Sequence, residues 1–373
     1  MTVLTSSPLK RIPSTRPPFT LGELKRAVPP HCFQRSLPRS MYYVATDVGA
    51  ILLSTYLATF IPLLPPFLQV IAWPLHWTVA GSFMLGAWLI GHDCGHHAFS
   101  DYKWLNDVIG FVLHSAMLTP YFSWKYSHTS HHANTGSTER QVVFLVKKKD
   151  ALPWHARYTD NPPLRVLNLT ISLFIGWPLY LTFNVSGRTY DSFANHFYPQ
   201  GPNFTRRQRA KVLLSDLGVT SVAYAIYRLT LSTSLPWMLC IYGLPLLFAN
   251  AWIVAISYLN HIHPALPLYD EGEWDWMRGT MSTVNRDFGW WNYFSHHITD
   301  GHVAHHLVPT MPHYHVMEAT EAIKPILGEY YLLDRTPVWR ALYRETKECL
   351  FVAPEKVRKG VHWFGSLVEE KAE

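Results

Sequence analysis

The chain has 373 residues, of which 48% are hydrophobic, 14% aromatic and only 16% charged, and its net charge is +6. That length and apolarity suit one membrane-embedded domain and argue against several soluble ones. Cys32, Cys94, Cys240 and Cys349 are scattered without a C-x-x-C pair, which excludes a disulfide framework and a zinc ribbon; no nucleic-acid partner is expected.

Residues 1–42 form a basic arm (Lys10, Arg11, Arg16, Lys25, Arg26, Arg35, Arg39), expected in the cytosol because short loops rich in Lys and Arg stay there. Its first forty residues hold no apolar core segment, so no cleavable signal is expected. A transit peptide, suggested by Ser, Thr and Arg with no acid before Glu23, is the weaker reading. Within 43–91, the apolar runs 48–64 and 67–90 have spanning length and are joined at Pro62, Pro65 and Pro66, which predicts a helical hairpin. His76, alone in it, reads as a satisfied core or interfacial side chain. Residues 92–211 carry two histidine clusters and the apolar runs 108–122 and 166–183. Lys147 to Lys149 precede the latter run and Arg188, Arg206, Arg207, Arg209 and Lys211 follow it, so it is expected to lie in the interface or re-enter without crossing.

A second hairpin, from runs 213–227 and 236–259, fills 212–259, and residues 260–373 return to the cytosol with a third histidine cluster and a basic tail. The expected fold is an all-α integral membrane protein with four transmembrane helices in two hairpins plus interfacial helices. Both termini and the histidine-rich catalytic part would then be cytosolic. The sequons at Asn168, Asn184 and Asn203 should remain unglycosylated in that topology, and the final VEEKAE carries no retention signal.

The three clusters are His92, His96 and His97; His128, His131 and His132; and His302, His305 and His306. Residues three and four apart share one helix face and can converge on one ion. Imidazole suits iron, copper, zinc or nickel, and nine imidazoles exceed what one ion holds, so a multi-iron oxygen-activating site is the leading reading. No Glu-x-x-His occurs, which excludes a carboxylate-bridged helix-bundle centre. Asp93 and Asp300 are instead expected to orient ligand imidazoles, and Cys94 to be a buried filler. An apolar groove would hold a fatty chain and exclude water. With no G-x-G-x-x-G and no C-x-x-C-H, electrons must come from a partner. A zinc-binding membrane transporter or receptor is the alternative of another class, but it would set its histidines within the spans. A sterol or alkane oxygenase would share the metal chemistry.

The segments HDCGHHAFSDY, LTPYFSWKYSHTSHHANTGS, SGRTYDSFANHF, EWDWMRG, GHVAHHL and TMPHYHVMEATEAIKPILGEYY closely resemble the plant microsomal delta-12 (omega-6) acyl-lipid desaturases, over nearly the entire chain. The resemblance implies two Fe ions and a place in the endoplasmic reticulum membrane. It also implies action on oleoyl chains of phosphatidylcholine, with electrons from NADH through NADH-cytochrome b5 reductase and cytochrome b5. It carries over His92, His96, His128, His131, His132, His302, His305 and His306 as ligands; His97 belongs to the same string. A ninth ligand is expected from NHIHP, with His261 ahead of His263. The absence of HPGG and the presence of His302 where front-end desaturases have Gln set the chain apart from those enzymes.

It also departs from the common pattern. Gly91 stands where Ala is usual, Thr129-Ser130 where an Arg pair is usual, Gln141-Val142 where two acids are common, and Gly301 where Thr is usual; Asn285, Trp290-Trp291 and Val308-Pro309 are further departures. Gly91 and Gly301 are expected to line the substrate groove. The product therefore stays open among desaturation, acetylenation, epoxidation, hydroxylation and conjugation, because small shifts of the chain against the metal decide between them.

Overall fold

The computed structural model describes residues 10–144, 147–149, 152 and 161–366. The final VEEKAE lies outside them. Local sequence explains where the helices begin. Thr20 and Glu23 form a reciprocal cap for α1 (Leu21–Ala27), Ser36 caps α2 (Leu37–Ala58), and Pro65 followed by Pro66 opens α3 (Pro66–Gly95). Then come α4 (Lys103–Ala116), α5 (Tyr121–Asn134), α6 (Pro162–Phe183) and α7 (Arg209–Ser232). The short α8 (Leu235–Met238) passes through a wide turn into α9 (Leu244–His261). Five shorter helices complete the set: α10 (Trp276–Met281), α11 (Trp291–Phe294), α12 (His302–Leu307), α13 (Val316–Leu327) and α14 (Val338–Glu348).

Among the described residues, five helical stretches are long and apolar enough to cross a membrane: 37–63, 66–95, 162–183, 209–232 and 235–261. The four apolar runs assigned to the hairpins lie in helices of spanning length, and the 166–183 run, read from flanking charge as non-crossing, is likewise a continuous 22-residue helix of spanning length. Flanking charge reports orientation and not length, so nothing in it forbids such a helix. Run 108–122 divides between α4, whose 14 residues reach only about 21 Å, and the start of α5. The 91/92 boundary also dissolves. α3 continues through His92 to Gly95, because its helical periodicity runs unbroken from the apolar stretch into the first histidine cluster.

α3 and α9 form the central wall. Gly81 lets them approach closely; a Cβ there would lie 2.7 Å from the Pro245 carbonyl oxygen and 2.8 Å from Phe248. Around this wall Leu85, Trp88, Leu113, Trp124, Ile253 and Leu259 are buried in one apolar core. A second core joins α1, α12 and α13 through Leu24, Leu307, Val316 and Ile323.

The fold is not wholly α. β1 (Pro267–Tyr269), β5 (Val361–Gly365) and β4 (Phe351–Pro354) make an antiparallel sheet in that order, with Leu268 opposite His362 and Val352 opposite Phe364; β2 (Asn285–Arg286) and β3 (Leu333–Asp334) form a parallel pair. These strands are 2 to 5 residues long and hold too little alternation to register as strands in the sequence. Behind them lies a buried ion network. Arg286 meets Asp334 and Glu345, Arg344 meets the same two carboxylates, and Arg286 Nε donates to the Leu259 carbonyl at 2.8 Å, tying the end of α9 to β2, β3 and α14.

Candidate metal centre

Each histidine cluster is delivered by a helix end. The last turn of α3 and its C-cap supply His92 and His96, α5 supplies His128, His131 and His132, the final residue of α9 is His261, and α12 supplies His302, His305 and His306. Two adjoining groups result. Donor nitrogens of His92, His96, His128, His132 and His305 all lie within 4.8 Å of one another, and so do those of His131, His261 and His306. His302 joins the second group, its Nε2 standing 2.9 Å from His261 Nε2. The rings of His132 and His306 stack at 4.0 Å and bring the groups side by side.

The distances fit shared ions. His131 Nε2 lies 3.1 Å from His261 Nε2, His132 Nε2 is 3.1 Å from His128 Nε2, and His305 Nε2 is 3.2 Å from His132 Nε2. Two nitrogens bound to one ion at about 2.1 Å stand roughly 3.0 Å apart at a right angle and roughly 3.4 Å apart at the tetrahedral angle. His96 Nε2 and both nitrogens of His306 are buried with no hydrogen-bond partner, a costly arrangement for polar atoms unless they have a ligand role. Burial, reinforced by the neighbouring imidazoles, pushes His128, His132, His305 and His306 well below the ordinary histidine range; burial takes His131 down to about 4 and His302 to about 3. These six imidazoles are therefore neutral donors at neutral pH, the form that binds a metal ion.

The supporting shell is specific. Asp93 Oδ2 accepts from the backbone N–H of His313 at 3.1 Å and pairs with His313 Nδ1 at 2.9 Å, while Asp93 Oδ1 lies 3.4 Å from His92 Nδ1. His302 Nδ1 is 3.2 Å from the Ile298 carbonyl, which leaves Nε2 free to bind. Trp124 stacks on His128 at 4.6 Å. Beside the imidazoles opens a mainly apolar cavity of about 430 Å³, walled by Leu89, Trp88, Trp177, Ile253 and Leu342 and reached by His92, His128, His131, His261 and His302.

Four expectations are corrected by this geometry. His97 turns away at positive φ and places Nε2 3.4 Å from Lys125 Nζ. His263 belongs to the ion network, 3.4 Å from Asp334. Asp300 binds His297 at 3.1 Å and no clustered imidazole. Gly91 and Gly301 do not line the cavity. A methyl at Gly91 would strike the His114 ring, which stacks on Trp88 at 5.0 Å, and one at Gly301 would lie 2.8 Å from both Val316 methyls and 2.9 Å from the His297 carbonyl. At both positions the missing side chain makes room for packing. His76 is buried with Nδ1 2.9 Å from Ser54 Oγ and with Nε2 lacking a hydrogen-bond partner among the described residues, and Cys94 is a buried filler outside both imidazole groups.

Sequence reading missed His313, 220 residues from its partner Asp93, and Arg165, a buried cation lining the cavity whose NH1 donates to Tyr343 at 3.1 Å. No spacing rule connects such distant partners.

Long apolar helices, convergent imidazoles and an apolar cavity together define a membrane oxidoreductase of the histidine-cluster type. The Fatty acid desaturase family profile matches residues 71–337, and the chain belongs to that family. It is 54% identical to a delta-12 fatty-acid desaturase of Vernicia fordii, over 97% of this chain and 95% of that protein. It is also 54% identical to a delta-12 acyl-lipid desaturase of Punica granatum (96% and 93%) and to an oleoyl-12-hydroxylase of Ricinus communis (96% and 94%).

Proposed function

We propose that the protein introduces a delta-12 double bond into oleoyl chains carried on phosphatidylcholine, using dioxygen and electrons from cytochrome b5 and its NADH-dependent reductase. The observation that carries this reading is the pair of adjoining imidazole groups opening on an apolar cavity. The ligands are His92, His96, His128, His132 and His305 for one ion, and His131, His261, His302 and His306 for the other. Two irons bound there supply the reductive activation of dioxygen needed to remove hydrogen from an unactivated methylene. The chain's own residues do the rest. Asp93 fixes His92, the Ile298 carbonyl fixes His302, Trp124 fixes the plane of His128, and the apolar walls hold the acyl chain and exclude water.

Convergence of the clusters also supports the topology. An even number of crossings must separate His132 from His302, so of the helices at 162–183, 209–232 and 235–261 two cross and one does not. Flanking charge makes α6 the one that stays in the interface, which gives four crossings with both termini cytosolic. Relatives named as endoplasmic reticulum enzymes support that membrane as the location.

Hydroxylation at carbon 12 is the second reading, favoured by equal identity, 54%, to the castor hydroxylase and the tung desaturase. Expression in yeast with gas chromatography and mass spectrometry of the acyl chains distinguishes them. Linoleate is expected; ricinoleate as the main product would install the second reading, and unmodified oleate in a strain with intact electron transfer would remove both.

A further inference from the structure

A second, smaller ligand set sits apart from the imidazole groups. His31 and Cys32, on a single turn of the N-terminal arm at Pro30–Phe33, meet His315 and Glu318 at the start of α13, and one donor atom from each lies within 4.8 Å of all the others. His31 Nε2 is 2.9 Å from Glu318 Oε2, Cys32 Sγ is 3.7 Å from His31 Nε2, and His315 Nδ1 is 4.0 Å from Glu318 Oε2. Donors around a tetrahedral zinc, at about 2.0–2.3 Å from the ion, stand roughly 3.3–3.7 Å apart. The four atoms are thus already near the edges of such a tetrahedron.

We infer that Cys32, His31, His315 and Glu318 form a structural site for a zinc-class divalent cation, one that clips the N-terminal arm onto α13. Thiolate, imidazole and carboxylate match a borderline-soft ion of tetrahedral preference, and one thiolate plus one carboxylate balance its two positive charges. Charge distinguishes this set from the other four-to-five-Å cluster of carboxylates and imidazole, His263, Asp334 and Glu345, where Arg286 and Arg344 already take the cation's place. Among the described residues Glu318 makes ion pairs with His31 and His315 alone and with no Lys or Arg. Cys32 is fully buried, whereas the His31 and Glu318 side chains are about half exposed (53% and 49%), so the ion has a way in.

The clip has mechanical reach. His315 is two residues from His313, which holds Asp93 and through it His92. The arm continues from His31 to Ser36, whose backbone N–H donates to Tyr314 at 2.8 Å, and to Arg35, whose Nε donates to the His97 carbonyl at 2.7 Å. Fixing the arm thereby holds the segment that orients one catalytic imidazole.

The inference does not depend on the proposed reaction, and metal analysis of the full-length protein in lipid nanodiscs tests it. Loaded with equimolar zinc and dialysed, the wild type should keep about one zinc per chain in addition to its iron, and Cys32→Ser and His31→Ala should keep less than about a tenth of that with iron unchanged. His31 is exposed, so its replacement spares the core. Cobalt loading of the wild type adds a reading that needs no variant: a thiolate-to-cobalt charge-transfer band, since the two imidazole groups contain no sulfur. No retained zinc and no such band in the wild type, or full zinc retention in both variants, overturns the site. Loss of iron from every sample would count against the imidazole centre and leave the zinc result standing.

Discussion

Two buried polar clusters lie behind α9, and they solve the same problem differently. The network of Arg286, Arg344, Asp334 and Glu345 sets two guanidiniums against two carboxylates and closes on itself. The nine imidazoles a few residues away meet one carboxylate, Asp93 beside His92, and leave nitrogens of His96 and His306 unpartnered. Ligand-type side chains in proximity occur in both, since His263, Asp334 and Glu345 also fall within 4.8 Å. What separates the candidate metal centre from the structural ion network is the set of buried nitrogens left without a partner.

The largest effect expected from breaking this contrast is on the imidazole side. His131→Ala and His306→Ala should each abolish product and lower bound iron, read by acyl-chain chromatography and elemental analysis, while the level of folded protein changes little. In the network the order reverses. Glu345→Leu leaves two buried guanidiniums facing one carboxylate and should cost about 3–5 kcal/mol of stability. Thermal unfolding in detergent should show the loss, with residual folded enzyme still binding iron. Next comes Asp93→Asn, which keeps a side chain of the same shape but weakens its hold on His92 and His313. Iron affinity should fall about 10–100-fold. An unchanged affinity would detach Asp93 from the centre.

Acid separates the clusters by pH window. His128, His132, His305 and His306 have folded pKa values well below the ordinary 6.5, and those of His131 and His302 are about 4 and about 3. The unfolded chain therefore binds more protons below 6.5, and the metal-free protein should lose stability as pH falls from 6.5 towards 4. Asp334 loses its contribution in the same direction but only at lower pH. Desolvation would raise its pKa, but the His263 hydrogen bond and the Arg286 charge outweigh it and hold the carboxyl well below its usual range, so this contribution persists across the same window. Bound iron holds the same imidazoles deprotonated and should leave the acid sensitivity in place, and a metal-free protein equally stable at pH 4.5 and 6.5 would refute the assignment. The smallest effect is expected at Gly91→Ala, where overpacking against His114 should cost about 1–3 kcal/mol with product ratios unchanged.

Much of the centre was legible because its ligands obey a local rule. Spacings of three and four within 128–132 and 302–306 put donors on one helix face, and that information is complete in the sequence. His261 followed only from a resemblance, since a histidine at the end of an apolar helix has no local partner to announce it. The errors fell where long-range packing decides. Nothing near Gly91 names His114, nothing near Asp300 shows that it turns to His297, and nothing near Asp93 points 220 residues ahead to His313. The long apolar helices were legible from apolar length. Whether α6 crosses was not, because its flanking charges and its length give different answers.

The cavity touches His92, His128, His131, His261 and His302, but not His96, His132, His305 or His306. The centre accordingly has a front and a back, and each ligand group contributes imidazoles to both. On the proposed function, each ion position would thus have rings that line the cavity and at least one that does not, so an electron donor and an acyl chain would meet different imidazoles.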